Sequence, residues 1–255
     1  MSYKVGLIGM IREELEKDKW GTLKRVAEMG YQGVEGGIMV SEDKAEMKEN
    51  RKRMDDLGLA TVALSCSQYK EEELDQAIEN AHILGVKYIV TYWADPQTED
   101  EVKEISEHLE RMAVKCNAAE LDFIYHNHEH EFIPRFGEKG NACFHEMLFD
   151  NTEALKFELD VAWCHFGGSD PVALLRRIGH RVPVLHVKDL SDDNIRDHFC
   201  AVGCGVVPCF AAMEAAAAKG AEWMVVEQDK PGNLTHFESA MASIFNIREA
   251  GLLLP

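Results

Sequence analysis

The chain is short of positive charge. Against 45 aspartates and glutamates it carries 27 lysines and arginines, a formal net charge of −18. Binding nucleic acid or an anionic membrane largely means neutralising phosphates with cations. The acidic balance therefore argues against both as partners and favours a small neutral or metal-chelated molecule. There is no uncharged apolar run of about 18 residues, the length a spanning helix needs. The first residues, MSYKVGLIGMIREELEK, meet charge too early for a secretory signal. Seven cysteines make an odd number, so a disulfide framework is not expected and a reducing, cytoplasmic setting is. The tightest cluster, Cys200, Cys204 and Cys209, has a C-x3-C-x4-C spacing that fits no common zinc module. No Pro/Gly/Ser-rich linker divides the chain, and no G-x-G-x-x-G follows the first β-rich run, where the sequence reads GLIGMIREE.

What is present is a regular alternation. Hydrophobic residues are 46% and charged residues 28%, a globular balance. Eight β-rich runs can be read: 3–8, 33–37, 60–65, 87–93, 122–128, 155–160, 182–189 and 223–229. Between them lie helix-like stretches such as ELEKDKWGTLKRVAEMG, TEDEVKEISEHLERMAVKCNAAE and FESAMASIFNIREAG. Several begin on acidic or hydroxyl residues and end on Lys, Arg or Gly, the polarity the helix dipole prefers. Strand–helix alternation implies parallel pairing, which needs crossovers. Eight units of roughly 30 residues account for the chain, so a single-domain (β/α)8 TIM barrel over 1–255 is predicted. An open doubly wound sheet would want the missing glycine-rich turn.

A barrel of this kind carries its active site at the C-terminal strand ends. Strand five ends in YHNHEHEF, with His126, His128 and Glu131. Strand six ends in Asp160, strand seven in His186 and Lys188, and strand eight in Glu227. Because side chains alternate, Val184, His186 and Lys188 share one face, as do Ile124, His126 and His128, and Val225, Glu227 and Asp229. The steps from His126 to Asp160, His186 and Glu227 are 34, 26 and 41 residues, about one unit each. Two imidazoles and two carboxylates converging there suit a divalent cation such as Mn²⁺, Zn²⁺ or Co²⁺ and leave room for substrate oxygens. A lone His at such a place is commonly structural, and a lone Asp commonly caps the next helix. Lys188 could instead pair with neighbouring Asp189. Glu35 ends strand two, and Tyr92, Trp93 and Trp163 supply aromatic rings near the rim.

The run FELDVAWCHFGGSDPVALLRRIGHRVPVLHVKDL, with YHNHEHEF, WMVVEQD and the GCG of 203–205, resembles the sugar phosphate isomerase/epimerase family of the xylose isomerase-like TIM barrel superfamily. The resemblance spans essentially the whole chain. It implies one divalent metal, Mn²⁺ first and Zn²⁺, Co²⁺ or Mg²⁺ as alternatives, held by strands five to eight. Asp160, His186 and Glu227 fall on the family's ligand positions. Strand five departs: many members carry a glutamate where this chain has His126. His126 is the expected fourth ligand, with His128 and Glu131 as competitors or substrate contacts, and Glu35, Tyr92, Trp163 and Lys188 as further substrate-facing groups. The implied activity is isomerisation or epimerisation of a sugar or keto-sugar by proton abstraction beside a metal-bound carbonyl. Glu227 is the expected base, and His126 and Lys188 assist. The missing strand-five glutamate keeps a lyase open, such as a dehydratase of a keto-inositol or keto-glycoside. The superfamily also includes an abasic-site endonuclease, but that chemistry wants extra histidines from earlier strands and a basic face. A non-catalytic barrel and a homodimer are the remaining expectations.

Overall fold

Eight parallel strands stand where the β-rich runs lie. A computed structural model describes residues 3–66, 70–230 and 232–253. The strands are Lys4–Leu7, Gly33–Val34, a third in two pieces (Ala60–Thr61 and Ala63–Ser65), Tyr88–Tyr92, Asp122–His126, Lys156–Asp160, Val184–Val187 and Trp223–Val226. The first strand pairs with the second and the eighth. The third closes the ring: Ala60 lies opposite Gly33 on the second strand, and Ala63 lies opposite Tyr88 on the fourth. Counted as pieces, the barrel is a nine-stranded parallel sheet. The predicted (β/α)8 barrel is therefore the fold, and its interior is a packed core.

Two apolar layers result from the alternation of strand side chains. One lies between strands and helices. The other fills the barrel, where Val62, Tyr88, Val90, Ile124, Val184, Trp223 and Val225 pack together. These inward positions continue upward as Tyr92, His126, His186 and Glu227, two residues further along each strand. The polar groups thus stand on a dry hydrophobic plug.

Helix boundaries follow local chemistry. Thr98 Oγ1 accepts the Glu101 N–H at 3.2 Å to start Glu99–Ala118, and Thr235 with Glu238 forms a capping box for His236–Glu249. The single helix expected over ELEKDKWGTLKRVAEMG is instead two, Arg12–Lys17 and Lys19–Met29. Asp18 breaks it by accepting the Gly21 N–H with its side chain. The helix Phe144–Asp150 and an antiparallel ribbon of Asp189–Leu190 with Phe199–Cys200 were not legible in the sequence. Above the seventh strand, the buried Asp189 carboxylate accepts N–H groups of Gly203, Gly205 and Val207 at 2.9, 2.9 and 3.1 Å. A Cβ on Gly205 would sit 2.1 Å from the Leu190 carbonyl oxygen, so this loop can close only on glycine. The described cysteines are all free. No described helix is long and apolar enough to cross a membrane.

Candidate active site

Parallel register brings the polar strand ends into one layer. His126 stands opposite Glu158, and Asp160 opposite His186. Asn127, on the opposite face of its strand from His126, locks the neighbouring strand. Its Nδ2 donates to the Asp160 carbonyl at 3.3 Å, and its Oδ1 accepts the Asp160 N–H at 3.0 Å.

Ligand atoms of His126, Asp160, His186 and Glu227 all lie within 4.8 Å of one another, and so do those of Glu35, Glu158 and His186. His186 sits at the centre. Its Nδ1 is 3.0 Å from Glu227 Oε2, and its Nε2 is 3.2 Å from both Glu35 Oε2 and Glu158 Oε2. His126 Nδ1 is 3.1 Å from the same Glu158 oxygen. Two residues further along the seventh strand, the buried Lys188 ammonium meets Asp160 Oδ2, Glu227 Oε2 and Asp229 Oδ2 at 3.1, 2.9 and 2.8 Å. Asp160 has two tasks, since its Oδ1 also accepts the Trp163 N–H at 2.8 Å and starts the helix Val161–Phe166. The capping reading of that residue is realised.

The electrostatics are uneven. Burial, reinforced by the Glu158 charge, pushes the Glu35 carboxyl up to about 8. Burial works against Glu158 too, but the imidazoles of His186 and His126 outweigh it and hold that carboxyl down at about 2. Glu227 is likewise opposed by burial and held well below the ordinary range by Lys188 and His186. Burial would lower Lys188, but Asp160, Glu227 and Asp229 hold it above its usual value. Burial, then the neighbouring His126, drives His128 down to about 2, so its ring is neutral. Glu158, Asp160 and Glu227 surround two cationic groups, the Lys188 ammonium and the His186 imidazole. Burial would lower His186, but Glu158 and Glu35 raise it well above its ordinary value. The remaining carboxylate excess is costly unless a cation offsets it. Glu158 Oε1 is also buried without a hydrogen-bond partner among the described residues. Two imidazoles, two carboxylates and this charge imbalance fit a divalent cation.

A cavity of about 200 Å³ opens above this layer, lined by Glu35, Tyr92, His126, His128, Glu158, His186 and Glu227 among others. It continues past Ile8 and Gly36 into a groove of about 620 Å³. Trp93 stands at the rim, half exposed, with its backbone in the left-handed region at φ 68° and its ring centroid 4.9 Å from that of His128. A bulky residue is rare in that conformation.

Three expectations are corrected. Glu131, read as a possible ligand or substrate contact, does not line the cavity: its carboxylate accepts from the Tyr125 hydroxyl and the His128 N–H. Trp163 does not line it either. It covers the Lys188 ammonium, 4.9 Å from the ring centroid, and packs edge-on to Phe199. Lys188 is buried and does not line the cavity, and it pairs with Asp160, Glu227 and Asp229 rather than Asp189, because consecutive strand residues face opposite ways. Glu158 stands in the site without having been among the residues expected from the sequence. Its signal was available, since period-two alternation puts it on the inward face with Asp160.

The family model described as xylose isomerase-like TIM barrel matches residues 23–246. The chain belongs to that family. Among curated relatives, the inosose dehydratase of Geobacillus kaustophilus is 26% identical over 265 residues, covering 84% of this chain and 81% of that one. Among solved structures, a sugar phosphate isomerase/epimerase from Parabacteroides distasonis superposes with a TM-score of 0.82 at 23% identity, covering 100% of this chain and 98% of that one. The IOLI protein, solved with a binding zinc atom, has a TM-score of 0.72 at 16% identity, covering 98% and 99%. At these identities the structures share the fold with the family member described here.

Proposed function

We propose that this protein is a divalent-metal-dependent lyase that eliminates water from a keto-cyclitol or keto-sugar. One observation carries the reading: two carboxyls of a single cavity, Glu35 and Glu227, stand on either side of one imidazole, 3.2 Å from Nε2 and 3.0 Å from Nδ1 of His186. Glu227 is held ionised and Glu35 is held protonated up to about pH 8. Carboxyls driven apart in this way make an acid/base pair.

His126, Asp160, His186 and Glu227 would hold the metal. Bound there, the cation, Mn²⁺ first and Zn²⁺, Co²⁺ or Mg²⁺ as alternatives, supplies positive charge beside the substrate carbonyl and makes the adjacent carbon more acidic. The Glu227 carboxylate takes that carbon's proton. The Glu35 carboxylic acid gives its proton to the hydroxyl leaving from the next carbon, which departs as water. One proton is taken and one delivered, and a carbon–carbon double bond remains beside the carbonyl. The dry plug beneath and the buried Lys188 fix Glu227 in place. The inosose dehydratase relatedness supports the reaction type.

Epimerisation is the second reading. His128 also lines the cavity, an imidazole on the wall beside His126 with ring centroids 5.0 Å apart. A panel of keto-inositols and keto-glycosides, incubated with Mn²⁺ in D₂O and followed by mass and ultraviolet absorbance, separates the two. Loss of water with a new conjugated-ketone absorbance is expected. Deuterated product of unchanged skeleton, with no water lost from any substrate, would replace the lyase with an epimerase. The −18 charge supports a small-molecule carbohydrate as partner and no nucleic acid.

A further inference from the structure

We propose that Glu158 is a positioning residue that aims two imidazoles at once, leaving Nε2 of His126 and Nδ1 of His186 as the nitrogens that face the metal. The inference rests on the metal reading above and concerns a residue outside the four-ligand set. One oxygen, Glu158 Oε2, lies 3.1 Å from His126 Nδ1 and 3.2 Å from His186 Nε2. The two rings stand 4.6 Å apart between centroids. An imidazole has one nitrogen on each side, so a carboxylate on one side decides which remains free to ligate. For His186 the result agrees with the other contact, because its Nδ1 already points to Glu227 at 3.0 Å. Strand order explains how one residue reaches both rings: the sixth strand runs between the fifth and the seventh. The Asn127 clamp on Asp160 keeps the fifth and sixth strands in register. Glu35 shares His186 Nε2 with Glu158, at the same 3.2 Å, but among the described residues it makes no contact with His126, so it does not duplicate this task there.

The test reads bonds rather than turnover. In cadmium-substituted protein with nitrogen-labelled histidine, one-bond cadmium–nitrogen couplings should appear at His126 Nε2 and His186 Nδ1. In metal-free protein, His126 Nδ1 should carry the proton it donates to Glu158. Glu158→Ala should weaken Mn²⁺ binding roughly 10- to 100-fold and scramble the His126 coupling. Glu158→Gln keeps an acceptor of the same reach and should recover part of the affinity. Cadmium on His126 Nδ1, an unprotonated Nδ1 in the metal-free protein, or wild-type affinity and couplings in Glu158→Ala would each overturn the proposal. If Glu158→Ala does not fold, the wild-type spectra still decide. Failure of cadmium and Mn²⁺ to bind the wild-type chain would refute the metal reading instead, and the metal-free spectrum would still test the Glu158 contact.

Discussion

Glu35 and Glu227 approach the same histidine from opposite sides, 3.2 Å from Nε2 and 3.0 Å from Nδ1 of His186, yet they are held in opposite charge states. Glu35 has burial and Glu158 against ionisation, whereas Glu227 has Lys188 beside it. The acid and base of the proposed elimination are therefore set by neighbours rather than by residue type.

Replacing Glu227 with Gln keeps the shape and removes the base. Turnover should fall on the order of 10²-fold or more, the scale of general base catalysis. Solvent deuterium exchange at the substrate carbon should fall with it. Exchange at the wild-type rate would place the base elsewhere.

In the proposed elimination Glu35 should set a limb of the pH–rate profile. It is protonated below about 8 and loses its proton as pH rises through that value, so an acid role predicts activity lost on the alkaline side. Glu35→Gln should lower kcat and abolish that limb. An unchanged alkaline limb in the variant would assign it to another group.

Metal loading is tested by Asp160→Ala and His186→Ala. Each removes one candidate ligand, and metal stoichiometry by elemental analysis should fall well below that of the wild type. Circular dichroism should report a retained barrel. Full metal content in both variants would contradict the four-residue site.

The Lys188 ammonium faces Asp160, Glu227 and Asp229 together. Lys188→Met keeps much of the volume but leaves buried carboxylates uncompensated. Removing one partner of a buried ion pair costs about 3–5 kcal/mol. A chemical denaturation midpoint close to wild type in the metal-free variant would show that solvent reaches those carboxylates.

His145, on Phe144–Asp150, stacks on Phe132 at 4.6 Å and lies 5.0 Å from the Phe157 ring, with neither ring nitrogen hydrogen-bonded among the described residues. Burial holds it near 3, against 6.5 for a free imidazole. Its folded value is depressed, so the native state refuses a proton that the unfolded chain accepts. Stability is full above 6.5 and falls as pH drops from there toward 3. By linkage the loss from this group is about 2 kcal/mol at pH 5. Urea midpoints at pH 7 and pH 5 should differ less in His145→Phe than in wild type. An equal difference in both would remove His145 as the acid-sensitive group.

The amino-acid sequence by itself determined the barrel and the strand ends that matter. Eight β-rich runs at even spacing, without a linker or a glycine-rich first turn, admit little else. Period-two alternation put His126, His186 and Glu227 on the inward faces of their strands before any coordinates, with Asp160 at the end of the sixth. Only the tertiary structure decided which polar groups meet. Glu131 sits five residues from His126 yet turns to Tyr125 and the His128 backbone, because a short 3-10 turn, Glu129–Phe132, reverses the chain there. Lys188 and Asp189 are adjacent in sequence and serve different networks. Glu35 and His186 are 151 positions apart and in contact. Spacing along a strand fixes the face a side chain takes, but contacts across a closed barrel depend on register and strand order. Charge states depend on both, since burial and neighbouring charge act only after the ring has closed.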